Sequence, residues 1–283
     1  MDSAVVVGRK SRILSRRIMV NGLLLVGVFL TAMPFVYMMT ASFKPGSDLF
    51  TIPIKILPDS LYLGNFDLLF SETNFVRWFA NSVFVSLSRT ALAIITSLMA
   101  GYAFAKLEFK GKQVLFGIIL ATLTMPIFVQ IVPLYGMMIR LGWVNSYSAL
   151  IMPFGAQAIG CFLARQYLLA IPDEILEAAR VDGASEWAIF RRIIVPLAGP
   201  IVAVLGILYF AMSWNDYIWP LVMLTEDAKF TVSLGLPTLI SPYGQEYGAV
   251  MAGSFLGTLP IVVLFLFLQR RFIEGVTRGA VSG

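Results

Sequence analysis

The 283-residue chain is 58% hydrophobic but only 13% charged, about half the charged share of a soluble domain, so it lacks the polar material to coat a globule in water. It holds no His and a single Cys, Cys161, which removes the imidazole base, a His/Cys metal cluster and an intramolecular disulfide, and with them most routes to catalysis by this chain. Its net charge of +5 lies in short basic clusters between apolar stretches, the arrangement of membrane loops rather than of a nucleic-acid surface.

In chain order, six stretches approach or exceed the roughly 18 to 20 apolar residues that cross a bilayer as a helix. They are residues 18–40, 83–104, 114–138, 149–169, 201–224 and 249–268. The expected fold is therefore an all-α integral membrane protein of six transmembrane helices. The second stretch carries Arg89, and the fourth carries Pro153, Gly155, Gly160 and Arg165. The basic N-terminus could pass for a secretion signal, but its apolar run is too long for a cleaved one and more spans follow, so an uncleaved first helix is expected.

Positive loops stay cytoplasmic. The clusters Arg9 to Arg17, Lys106 to Lys112, Arg165 to Arg192 and Arg270 to Arg278 fall on one side with fifteen Lys and Arg, and the other side has five. Both termini are thus expected inside a bacterial cytoplasmic membrane. The organisation read from this is 1–76 for the N-terminal tail, first helix and outer loop, 77–269 for a core of five helices, and 270–283 for a cytoplasmic tail. The outer loops 43–82 and 225–248 contain Pro and Gly turns and are expected to be ordered by them or by a partner. Small residues recur every four positions at Ala93, Ser97, Gly101 and Ala105, and again at Ala249, Gly253 and Gly257; such stripes serve close packing inside the subunit or at a subunit interface.

The cytoplasmic segment 171–196 reads as a short helix, a glycine turn and a second short helix. Asp173 and Glu174 complement the first helix dipole, and Gly183 supplies the positive φ that ends it. Ser185 caps the second helix, and Pro196 stops the pattern before the next span. Trp187, Phe190 and Ile194 fall on one side with Arg191 and Arg192 adjoining. A docking partner or the inner leaflet would each account for that apolar face.

The spacing Glu177-Ala178-Ala179, three residues, Gly183, nine residues, Ile193-x-Val195-Pro196 resembles the EAA loop of ABC importer permeases, with Val195 where Leu is usual. The stretches Arg77 to Ser82, Gly101 to Ala105, Ser213 to Leu221 and the tail Gly275 to Gly283 extend the likeness over nearly the whole chain. They narrow it to carbohydrate-type permeases similar to the smaller permease of the maltose importer; Val276 and Ser282 depart from that tail. The resemblance implies that the EAA loop is a coupling helix seated on a separate ATPase dimer, so ATP and Mg belong to that partner and no cofactor to this chain. It also implies a second, paralogous permease and an extracytoplasmic solute-binding protein. This chain has no phosphate-binding loop of its own, Gly111-Lys112-Gln113 being the nearest approach.

On this resemblance Glu177, Ala178, Ala179, Asp182, Gly183, Trp187, Phe190 and Pro196 are the expected ATPase-coupling residues. Tyr243, Gln245, Glu246 and Tyr247 are the expected contacts for the binding protein. The solute path is expected at Trp214, Asn215 and Asp216, since an aromatic beside an amide or acid suits a sugar, while Tyr217 and Trp219 read as interfacial anchors. Arg89 either faces a cavity that greets an anionic solute or snorkels to the outer interface. A phosphate-ester importer and an ATP-independent secondary transporter are the rival readings; the latter lacks an ionisable relay at mid-span.

Overall fold

Lipid offers no partner to a bare N–H or C=O, so a spanning chain satisfies its backbone within helices. In the computed structural model, the backbone is described for residues 2–241 and 244–281, and side-chain surroundings for 17, 19–126, 128–240 and 246–272. The helices, in order, are α1 (Asp2–Ala41), α2 (Gly64–Ser71), α3 (Phe75–Lys106), α4 (Lys112–Thr122), α5 (Ile127–Leu141), α6 (Tyr147–Ile151), α7 (Ala158–Leu169), α8 (Asp173–Val181), α9 (Glu186–Ile189), α10 (Val195–Leu197), α11 (Gly199–Trp214), α12 (Ile218–Met223), α13 (Val232–Gly235) and α14 (Tyr247–Val281). Two-residue strands β1 (Ile240–Ser241) and β2 (Gly244–Gln245) pair antiparallel with Ile240 opposite Gln245.

Three of the six expected spans are uninterrupted: residues Met19–Ala41 of α1, Phe75–Lys106 and Tyr247–Phe272 of α14. The other three are broken. The third parts into α4 and α5 where Pro126 removes a helix donor. The fourth bends by 41° between the α6 end and α7, and the fifth unwinds over residues 215–217 between α11 and α12. The chain divides into two compact units, residues 1–73 with 239–256, and 74–238 with 257–283. The stretch 239–256 joins residues 1–73 in the first unit.

In the first unit residues 19–36 of α1 are almost wholly apolar and exposed all round, with Leu23 at 67% and Phe29 at 69%. Water does not tolerate such a surface on a lone helix; lipid does. The loop after α1 is tied down by the buried Asn65, whose amide donates to the carbonyls of Ser42 (2.9 Å) and Lys44 (2.7 Å). A Cβ at Gly248 would collide with that same amide. Lys44 has its ammonium bonded to the Lys55 carbonyl and lying 5.2 Å from the Tyr37 ring centroid.

In the second unit α3 packs on α7 and α11 around Leu98, Leu168, Leu205 and Tyr209. The stripe Ala93, Ser97 and Gly101 is buried in this contact, so packing within the subunit explains it. A Cβ on Gly101 would sit 2.6 Å from the Ala164 Cβ, and one on Gly160 would collide with Tyr209 Oη and Ser97 Oγ. At the other end, Trp78 Nε1 donates to the Asp227 carbonyl (2.9 Å), the Asn81 amide to the Phe230 carbonyl (2.9 Å), and Ser82 Oγ accepts from Val232 N (2.8 Å). These three residues of α3 clasp the segment 227–232, which gives the stretch Arg77 to Ser82 a structural purpose.

Candidate functional site

The segment between α7 and α11 folds as its sequence dictates. The α8 helix ends in a Schellman turn: Gly183 N donates to the Arg180 carbonyl (3.0 Å) and Ala184 N to that of Ala179 (2.9 Å). Gly183 has φ +81, and nothing lies within 4 Å of a Cβ built there. Backbone conformation, the positive φ expected from the sequence, is the demand for glycine within this chain. Ser185 Oγ accepts from Ala188 N at 3.3 Å, the N-cap of α9.

Two faces then separate. Leu176 and Ile189 are buried at 1% and 0%, in the core formed with α3 and α11. Glu177, Ala178, Asp182 and Gly183 are exposed, Val181 is 88% exposed and Trp187 61%. Among the described residues Glu177 has no ion pair. Ala179 is half-buried against the core. The expected outward stripe of Trp187, Phe190 and Ile194 needs correction: Phe190 is 8% and Ile194 0% exposed, so Trp187 alone looks out, stacked on Phe190 at 5.5 Å. The helical register shifts here, because Phe190–Ile194 winds as a π-turn and each residue advances less around the axis. Pro196 does not stop the helix as expected. The helix Glu186–Leu197 runs one residue past it, and the axis then turns by 75° before Gly199.

The C-terminal end of α3 grips both helices of this segment. Lys106 Nζ donates to the Ile171 carbonyl (2.6 Å) and Asp173 Oδ1 (2.7 Å), which holds the Asp173 carboxyl below its usual pKa. Tyr102 Oη donates to Glu186 Oε2 at 2.5 Å, and Arg180 Nε to Glu186 Oε1 at 2.8 Å. None of Tyr102, Lys106 or Glu186 had been singled out for this. The acid and base at matched ends of a predicted helix pair were the available signal.

At the opposite end, where α11 unwinds, the structure joins two residues that sequence reading kept apart. Arg89 is 5% exposed, with Nη1 2.9 Å from Asp216 Oδ2 and its guanidinium 3.7 Å from the Phe154 ring centroid. Neither earlier account of Arg89 survives: it does not snorkel, and its charge is already met. Asp216 Oδ1 also accepts from Trp219 N at 3.4 Å. Trp214 is corrected likewise. It is 4% exposed, donates Nε1–H to the Gly257 carbonyl (2.8 Å) and stacks on Phe210 at 5.5 Å, so it fills the core. Trp219 is no interfacial anchor, being 4% exposed with Nε1–H bonded to the Ala149 carbonyl at 2.8 Å; Tyr217 is 40% exposed. Asn215 is exposed, its amide donating to the Ala211 carbonyl.

Asn215, Asp216, Tyr217 and Trp219 line one side of a cavity of about 370 Å³, and Phe128, Gln130 and Phe154 another. Gln130 was missed, although a lone amide in an apolar run marked it. In the first unit, Glu246 is exposed, and Tyr247 is half-buried with its ring edge-on to Phe50 at 5.0 Å. Gln245 lies in β2, and Tyr243 lies outside the described residues.

Residues 93–278 match the family described as the binding-protein-dependent transport system inner membrane component. The chain is 41% identical over 258 residues to the arabinooligosaccharides transport system permease protein AraQ of Halalkalibacterium halodurans, covering 90% of this chain and 92% of that one. It is 34% identical to the lactose transport system permease protein LacG of Rhizobium radiobacter, over 88% and 90% of the two chains. It is 31% identical to the sn-glycerol-3-phosphate transport system permease protein UgpE of Brucella abortus, over 90% and 93%. Its fold is similar to a chain of a bacterial ABC transporter involved in the import of the acidic polysaccharide alginate, with TM-score 0.80, 23% identity and coverage of 93% and 98%.

Proposed function

Because the chain belongs to the family of binding-protein-dependent transport system inner membrane components, we propose that it is one permease subunit of an ATP-driven importer and forms half of the path for a sugar or sugar-like solute. The observation that carries this reading is the two-faced α8–α9 segment. Glu177, Ala178, Asp182 and Trp187 stand free for a partner, while Leu176, Ile189 and Ile194 are rooted among α3, α7 and α11. A push delivered to the free face therefore reaches three helices as a rigid body. The pusher is a separate ATPase dimer that binds ATP and Mg, and a second permease supplies the other half of the path. Both termini and this segment face the cytoplasm, by the distribution of Lys and Arg.

Asn215 and Gln130 offer amides, and Tyr217 a ring, to a hydroxylated solute at the cavity beside the α11–α12 break. A phosphate ester, as in the name of the UgpE relative, is the weaker reading. The cation that would greet it, Arg89, is buried and paired with Asp216. Glu246, Tyr247, Gln245 and Tyr243 are the proposed contacts of a solute-binding protein.

Purification of the chain from its native membrane tests this. An ATPase, a second permease and a binding protein loaded with a saccharide are expected to accompany it, and reconstituted uptake is expected to require ATP. Uptake in vesicles stripped of any ATPase, or labelling of residues 173–196 from outside the cell, would overturn the reading.

A further inference from the structure

A second hollow, of about 650 Å³, is lined by residues of the α3–α4 turn, the start of α4 and Arg165 of α7, and shares no lining residue with the cavity beside the α11–α12 break. Its charged lining is two cations, Arg165 and Lys112, and one acid, Glu108. Arg165 is half-buried there, its guanidinium 4.4 Å from the Phe116 ring centroid and its Nε donating to the Phe104 carbonyl at 3.1 Å. Among the described residues Arg165 has no ion pair, so its charge enters the hollow uncompensated. Lys112 also lines it, 18% exposed, its Nζ 3.0 Å from Glu108 Oε1. The Glu108 side chain is 91% exposed, and a pair held that loosely in water yields readily to a better anion. Lys110 is exposed beside them.

The same hollow opens next to bare hydrocarbon. On α4, Val114 is 68%, Leu115 48% and Ile118 58% exposed. A free inorganic anion gains nothing from that rim, whereas an amphiphile with an anionic head satisfies both surfaces at once. On the charge-based orientation this end of the bundle meets the inner leaflet, where anionic lipids concentrate and basic pockets between helices bind their headgroups.

We propose that this hollow seats the phosphate headgroup of an anionic phospholipid of the inner leaflet, with Arg165 and Lys112 as the phosphate ligands and the acyl chains along α4. The occupant stands at the foot of α3, whose Tyr102 and Lys106 hold the coupling segment. The proposal requires only the cytoplasmic orientation of this end and stands apart from the identity of the solute.

The test uses the complete complex in nanodiscs of phosphatidylcholine with a minor fraction of phosphatidylglycerol. Native mass spectrometry should find phosphatidylglycerol retained, and Arg165→Gln and Lys112→Gln should each lower that retention roughly fivefold. Photoreactive phosphatidylglycerol should cross-link to the peptides holding residues 108–117 and 165 of the unmodified complex, a readout independent of whether the variants assemble. Free inorganic phosphate should not displace the lipid. Equal retention in assembled variants, equal retention of phosphatidylcholine, displacement by phosphate, or cross-links from the second permease in place of lipid at these peptides would each overturn the proposal. Loss of the ATPase with lipid still bound would instead count against the importer reading alone.

Discussion

At one end of the second unit, the α8–α9 segment takes its shape from neighbours in sequence: Gly183 closes one helix and Ser185, two residues on, opens the next. At the other end, the broken α11–α12 helix is pinned by Arg89 reaching Asp216 across 127 positions. The turn and cap of α8–α9 are thus set by neighbouring residues, while Tyr102 and Lys106 of α3 and the buried Leu176 and Ile189 fix where that segment sits. The ion pair exists only when α3 and α11 are packed, so it reports and reinforces their arrangement. Within one unit, the turn and cap of α8–α9 are built locally, and the α11–α12 break is held by a distant partner.

The widest test of this contrast is Arg89→Ala, which leaves the Asp216 carboxylate in its site without its cation. Loss of about 3 kcal/mol is expected, the low end for a broken buried pair because the Asp216 side chain retains 19% exposure. Thermal unfolding of the complex in nanodiscs measures it, and Arg89→Ala with Asp216→Ala should cost less than the two single changes added. Additive losses would mean that the pair does not act as one unit.

Trp187→Ala probes the other end. The side chain is 61% exposed, so fold stability should move by less than about 0.5 kcal/mol. Affinity for the ATPase should fall by about 2 kcal/mol, the scale of an aromatic hot spot, read as a roughly thirtyfold rise in the dissociation constant. Unchanged ATPase affinity would remove Trp187 from the interface.

Gly160→Ala asks whether the α3–α7–α11 contact transmits force because it cannot yield. Overpacking there should cost about 1–3 kcal/mol, and Tyr209→Phe should return part of it by removing one of the two hydroxyls met by the new Cβ. No rescue would mean that the backbone moves aside.

The smallest expected effect is Gly183→Ala. With open space around it, only the left-handed backbone is penalised, by about 1–2 kcal/mol, and Gly183→Asn should cost less. Gly183→Asp should leave the protein inserted yet lower ATPase co-purification below that of Gly183→Asn, since the difference between the two is a charge on the exposed face. Equal recovery with Asp and Asn would confine Gly183 to ending the helix.

The local geometry of segment 171–196 was legible beforehand, and where reading failed, it failed for identifiable reasons. The turn at Gly183 and the cap at Ser185 depend on residues a few positions apart, and propensity speaks directly to those. The misplacement of Phe190 and Ile194 came from assuming an unbroken α-helical period through a π-turn that ends two residues before Pro196. Arg89 and Asp216 had each been noted as costly in a span, but a lone charge does not name its partner. Trp214 and Trp219 carried the composition of a sugar site or an interface, and only packing showed their N–H groups already bonded to Gly257 and Ala149.

The sequence by itself determined that this is a helical membrane chain, where its apolar stretches lie, and which segment carries the coupling motif. Those properties follow from hydropathy, charge and short-range backbone chemistry, which act on consecutive residues. Only the tertiary structure decided which spans are broken, which aromatic rings fill the core and which charges cancel. Each of these depends on what a distant helix places against the residue, and a pattern confined to neighbours holds no record of that.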